Sequence, residues 1–200
     1  MKVVVIGGSG IIGTAVTREL SARHEVIIGG KRSTGLKLDI TDSTSVSEFF
    51  KNLGRVDAIV TTTGNLHFGP IEETTAEQFN IGLQDKLLGQ IRVALIGQHY
   101  LSDGGSITLT SGIVADEPIR HGTNATTVNA AVEGFVRSAA IDLPRGIRIN
   151  AISPTYVNES AGVYGPFFPG YESVPAAKVA LAYRRSIDGP QTGRVYHVWH

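Results

Sequence analysis

The chain has 200 residues, 18 basic and 18 acidic side chains, and no cysteine. These facts exclude disulfides, thiolate chemistry and Cys-ligated metal centres, and they argue against a nucleic acid or membrane surface held by bulk charge. The length suits one domain spanning residues 1–200 with its own core. No apolar run approaches a membrane span, and the N-terminus reads as strand and turn rather than a cleavable signal, so the expected compartment is the cytoplasm.

Strands and helices alternate along the chain. Lys2–Ile6 is a continuous apolar run, as in a strand buried on both faces. After a Gly-rich turn, Ile12, Val16 and Leu20 recur at helical spacing. Glu25–Ile28 reads as a second strand. Leu36–Ile40 follows after too short a connection for an ordinary parallel crossover: either it is a stunted edge strand or a bare loop makes the crossing, and a short edge strand is favoured. Asp42 should N-cap a helix carrying Val46, Phe49, Phe50 and Leu53, ended by Gly54. Val56–Thr62 is a strand. Thr74 and Glu77 read as a capping box opening a long helix with Phe79, Leu83, Leu87, Ile91 and Leu95. Ser106–Ser111 is a strand, Thr123–Leu143 a helix, Ile147–Ile152 a strand. Pro175 suits the first position of a helix running to about Ser186, and Arg194–Val198 is the last strand. The expected class is α/β: a doubly wound, Rossmann-like parallel sheet of about seven strands with helices on both faces.

Gly8-Ser9-Gly10-Ile11-Ile12-Gly13 matches G-x-G-x-x-G, and it follows a strand and opens a helix. Glycines there allow a tight turn and close approach of a pyrophosphate to free N–H groups at the helix start. The plainer reading is a structural strand-to-helix turn. Beyond the second strand, Gly29-Gly30-Lys31-Arg32-Ser33 contains no acid for a ribose 2′-hydroxyl. Two cations and a hydroxyl suit a 2′-phosphate, which favours NADP(H) over NAD(H). The alternative is a solvated basic turn.

With these motifs go Leu38-Asp39-Ile40-Thr41-Asp42, Thr61-Thr62-Thr63-Gly64, Ile107-Thr108-Leu109-Thr110-Ser111, Asn129-Ala130-Ala131-Val132-Glu133-Gly134-Phe135, Arg148-Ile149-Asn150-Ala151-Ile152-Ser153-Pro154 and Thr192-Gly193. In this order and spacing the chain resembles the short-chain dehydrogenase/reductase family over nearly its whole length. The spacing Gly7-x-x-Gly10-x-x-Gly13 is similar to that of extended and atypical members. The resemblance implies that Gly7, Ser9, Gly10, Ile11 and Ile12 meet the pyrophosphate, that Lys31, Arg32 and Ser33 meet the 2′-phosphate, and that Asp39 and Ile40 flank the adenine. It implies Thr63, Gly64 and Thr110 beside the cofactor, Pro154, Tyr156 and Val157 along the nicotinamide, and Ser111 as hydrogen-bond donor to a substrate carbonyl. It also implies a homodimer or homotetramer paired through the helices equivalent to Thr75–Tyr100 and Thr123–Leu143.

The catalytic set departs from the family pattern. The usual Tyr and Lys positions hold Ala125 and Asn129; a register shifted by one gives Asn124 and Val128. The usual Asn of the preceding helix is replaced by Lys86. Lys86 and Asn129 thus look exchanged, and Lys86 is the candidate to hold the cofactor ribose and act in catalysis. The bland alternative is a lysine snorkelling from a helix face. Replacement proton donors are Lys86, His67, His121, Tyr156 or a water chain. Asn158 to Val174 form a short aromatic loop that either clamps an apolar or aromatic ligand or caps the sheet as core. The histidines show no metal-ligand spacing, so no metal is expected. Two functions follow: an NADP(H)-dependent oxidoreductase of a small carbonyl or enone with an altered active site, or a catalytically silent NADP(H)-binding sensor or scaffold.

Overall fold

The computed structural model describes residues 1–31, 33 and 36–200; the Arg32 expectation lies outside the described residues. Strands β1 (Lys2–Ile6), β2 (Glu25–Gly29), β3 (Val56–Thr61), β4 (Leu101–Thr110), β5 (Arg148–Pro154) and β6 (Val195–Val198) form a parallel sheet in the order β2-β1-β3-β4-β5-β6. The chain runs from β1 outward to β2, then returns to β3 on the other side of β1. The carboxyl ends of β1 and β3 therefore flank a topological switch point, where open α/β sheets bind ligands.

Period-two alternation along each strand sends side chains to both faces. Val4 and Ile6 pack with Ile59, Ile107, Leu109 and Ile149 beneath α2 (Ser43–Leu53), α4 (Leu88–Gly97) and α5 (Thr123–Asp142). Val3 and Val5 pack with Ala58, Val60 and Ile152 beneath α1 (Ile11–Ser21) and α7 (Ala176–Asp188). Both faces are covered, which is why the strands read as continuous apolar runs. Among the described residues, no helix is long and apolar enough to cross a membrane.

Three local expectations are corrected. Leu36–Ile40 forms no strand: a single parallel bridge joins Gly29 and Leu36, and the described residues give six strands. Leu38 and Ile40 bury their side chains in the core, while the Asp39 N–H donates to Ser45 Oγ, so the alternating pattern marks a packed loop. The capping box is one residue on. Thr75 accepts from the Gln78 N–H and Gln78 Oε1 accepts from the Thr75 N–H, because the Thr74 hydroxyl is engaged with the Pro70 carbonyl. The long helix is not continuous. α3 (Ala76–Gly82) passes into a π-turn, Leu83–Leu87, before α4 resumes. Such widened turns often mark functional sites, and this one carries Lys86.

Candidate active site

The phosphate turn is held by backbone. The Gly7 N–H donates to Gly29 and the Gly10 N–H to Gly7. A Cβ on Gly13 would sit 2.1 Å from the Gly7 carbonyl oxygen, so α1 approaches β1 as only glycine permits. Gly7 has φ +85° and faces Thr62 and Thr63. α1 starts at Gly10 without a side-chain cap, which leaves first-turn N–H groups for an anion. Ser9, Gly10 and Ile11 line a groove between α1 and α7, while Ile12 opens on the adjoining cavity. A pyrophosphate fits this turn.

Beyond β2, Lys31 forms an ion pair with Asp39 at 2.9 Å. Hydrogen bonds from Lys31 and then Thr41 hold the Asp39 carboxyl down at about 2, and Asp39 raises the Lys31 ammonium in turn. Both side chains reach solvent, so the pair is screened. The Ser33 hydroxyl donates to the Ile28 carbonyl. Ile40 corrects its expectation. Its side chain packs in the core against Gly89 and its carbonyl accepts from Arg92, so it offers no side chain to a purine.

A cavity of about 290 Å³ lies beyond the turn, and its lining includes Ile12, Gly64, Lys86, Thr110, Ser111 and Asn129. Pro154, Tyr156 and Val157 line its far wall. The structure thus brings together residues from the ends of β4 and β5, from the loop after β3, from the π-turn and from α1 and α5. Thr110 is spoken for: its backbone is clamped by Gln90 and its hydroxyl by Thr61 and Tyr183.

Among the described residues, Lys86 is the one charged side chain in that lining. Its Nζ donates to the Ser111 carbonyl at 3.2 Å, and burial alone lowers its ammonium to about 8. Gly64 makes room for it: with φ +130°, a Cβ there would sit 2.6 Å from Lys86 Cα. Asn129, from α5, is buried and its Oδ1 has no hydrogen-bond partner. A buried acceptor left empty calls for a ligand donor, and a ribose or substrate hydroxyl supplies one.

Ser111 corrects its expectation. Its hydroxyl is buried and donates to Glu133 Oε1 at 2.6 Å, so its hydrogen is not offered to the cavity. The position facing Asn129 is the next one, Gly112, where a Cβ would lie 3.4 Å from Asn129 Nδ2. Of the four side-chain proton donors considered, His67 and His121 are absent from the lining. Tyr156 gives its hydroxyl hydrogen to the Tyr171 carbonyl. Lys86 remains.

The loop 158–174 contributes both to a small core and to the cavity wall. Phe168 packs with Ile113, Val114 and Ala125 as a small core, yet it also lines the cavity with Phe68, Tyr156 and Tyr164. Two residues at the site have no role assigned from the sequence. Glu133 stands there only within the Asn129–Phe135 motif; the structure makes it the anchor of Ser111, itself paired with Arg137 at 3.0 Å. Asn124 ties α3 to the cavity rim, donating to the Phe79 carbonyl and accepting from the His67 N–H. Gly82 was the readable signal for Asn124, since a Cβ there would meet Asn124 Oδ1 at 2.2 Å.

A family model described as enoyl-(acyl carrier protein) reductase matches residues 7–183. The chain is similar to hydroxynaphthalene reductase arp2 of Aspergillus fumigatus, 29% identical over 208 aligned positions covering 90% of this chain and 76% of that one. The crystal structure of the protein lin1944 from Listeria innocua superposes with a TM-score of 0.98 at 45% identity, covering all of both chains. A small-chain dehydrogenase in complex with NADPH superposes with a TM-score of 0.86 at 29% identity, covering 99% of this chain and 96% of that one.

Proposed function

The chain belongs to the short-chain dehydrogenase/reductase family of oxidoreductases, and from that membership we propose that it is an NADP(H)-dependent reductase of a small aromatic or conjugated carbonyl compound. One observation carries the reading: Ile12 of the phosphate turn, Gly64 after β3 and Lys86 line one aromatic-walled cavity with the carboxyl ends of β4 and β5. The names of the similar proteins support it: one is complexed with NADPH, one reduces hydroxynaphthalenes, and the family model names an enoyl reductase.

The roles divide as follows. Gly7, Ser9, Gly10, Ile11 and Ile12 hold the pyrophosphate. Lys31 and Ser33, with Arg32 in the same turn, meet the 2′-phosphate, and Asp39 borders the adenine. Thr63, Gly64 and Asn129 border the ribose, and Pro154 to Val157 the nicotinamide. The bound cofactor supplies hydride. The Lys86 ammonium, desolvated and close to neutral in its titration, donates to the substrate oxygen and takes the part of the missing acid. Such a donor contributes roughly 10² to 10⁴ in rate. An enone depends less on it, because hydride is received at a carbon remote from the oxygen. Two copies pair through the outer faces of α4 and α5.

Calorimetric titration with NADPH, NADP⁺, NADH and NAD⁺, followed by NADPH oxidation over a panel of aryl ketones and enones, tests the reading. Micromolar NADPH binding, weaker NADH binding and turnover on any panel member support it; no binding of any nucleotide overturns it. A second reading, a silent NADP(H) sensor, is favoured by one observation: neither Ser111 nor Gly112 presents a hydroxyl to the cavity. Tight NADPH binding without turnover selects it.

A further inference from the structure

We propose that Lys86 is also a nucleophile: its ε-amine captures aldehydes and ketones that enter the aromatic-walled cavity as a reversible imine. The inference rests on the reading that this cavity takes a carbonyl compound, but it does not need the cofactor.

Four observations carry it. Lys86 is only 8% exposed and lines the cavity from the π-turn, with its stem gripped by Gly64. No carboxylate stands among the lining residues. The nearby acids are engaged elsewhere: Asp85 accepts from Asn65 and Glu133 from Ser111 and Arg137. The hydrogen bond given for the ammonium is a single one of 3.2 Å to a backbone carbonyl. An ammonium without a counter-charge in a dry site gives up its proton readily, and the free amine attacks carbonyl carbon. The lowering to about 8 agrees with this.

The step balances without an oxidant or reductant. The amine lone pair forms a C–N bond, and the carbonyl oxygen takes up the proton released by nitrogen. The carbinolamine then loses that oxygen as water when C=N forms, and hydrolysis reverses the sequence. The unpartnered Oδ1 of Asn129 is an acceptor for the carbinolamine hydroxyl. The walls formed by Phe68, Tyr156, Tyr164 and Phe168 select an aryl or conjugated carbonyl. Conjugation matters chemically, because a protonated imine withdraws electrons from the β-carbon of an enal or enone as the missing acid would have done.

The test uses cinnamaldehyde and sodium cyanoborohydride on the protein without nucleotide, followed by peptide mass spectrometry. At pH 8 an amine titrating near 8 carries about 100-fold more free base than an exposed lysine. At that pH Lys86 is therefore expected to be trapped at least about tenfold faster than any other lysine. Cinnamyl alcohol, which fits the walls but has no carbonyl, should protect it, so the result does not depend on a variant. Lys86→Arg should lose that adduct alone. Labelling spread evenly over surface lysines, or no protection by the alcohol, overturns the proposal. NADPH consumption with cinnamaldehyde, measured in parallel, separates the two readings. An adduct without NADPH consumption leaves capture standing and removes the reductase. Consumption by the parent protein, with no adduct at Lys86, does the reverse.

Discussion

The Ser111 hydroxyl donates to Glu133 Oε1 at 2.6 Å, and Glu133 in turn is bound by Arg137 at 3.0 Å. This chain fixes the end of β4, whose carbonyl receives Lys86. The serine acts through its backbone and anchors the cavity floor. Glu133→Leu should therefore cost about 1 to 3 kcal/mol by stranding the buried hydroxyl. The double variant Ser111→Ala/Glu133→Leu should recover most of that loss in urea denaturation, a coupling expected of residues in contact.

Lys86 gives stability a pH dependence of definite sign. Its ammonium titrates near 8 when folded, against 10.5 unfolded. Between those values the unfolded state binds more protons, so this group makes stability rise as pH increases from 8 to 10.5. Below that window the burial cost is present in full, on the order of 3 kcal/mol. Lys86→Met should thus be more stable than the parent at pH 7 and lose that advantage by pH 10.5, as measured by denaturation at the two pH values.

The phosphate turn has no room for a side chain at Gly13, where a Cβ would overlap the Gly7 carbonyl oxygen. Gly13→Ala should weaken NADPH binding by at least about tenfold, or 1.4 kcal/mol, in calorimetric titration. Gly134→Ala, on α5, where a Cβ would meet nothing within 4 Å, should fold normally and serve as the comparison.

Lys31 is shared between Asp39 and the 2′-phosphate it is proposed to meet. Hydrogen bonds from Lys31 and Thr41 depress the Asp39 carboxyl to about 2, so it is charged throughout the physiological range and the pair breaks only as pH falls through that value. Asp39→Asn should strengthen NADPH binding by about twofold to fivefold at low salt, the scale of an exposed ion pair. Lys31→Glu should weaken NADPH more than NADH. Unequal effects on the two nucleotides in the same titration are the diagnostic.

Between α4 and α5 a groove is lined by Leu95, Phe135, Ala139 and Leu143, with Leu95 half exposed. If two copies pair there, Leu95→Glu should halve the mass seen by light scattering without altering nucleotide affinity.

The local chemistry of the chain was enough to determine the sheet and the turn. β1 had to be a buried strand because Val3 to Ile6 are apolar without interruption, and Gly7, Gly10 and Gly13 carry their backbone consequence in their own missing Cβ atoms. The absence of Tyr and Lys from α5 was equally plain, since no register of that helix contains them. Tertiary structure decided the rest. Leu36–Ile40 alternates like a strand, but its side chains found the core without a ladder. The Thr75–Gln78 cap displaced the expected pair only because Pro70 claimed the Thr74 hydroxyl. Ser111 stands in the expected motif, yet its rotamer is set by Glu133 on another element. Lys86 is buried because a π-turn, Gly64 and the residue after β4 close around it. Periodicity and glycine act through the neighbouring backbone and so are written locally. The direction of a hydroxyl and the proton affinity of a lysine depend on what the fold packs beside them.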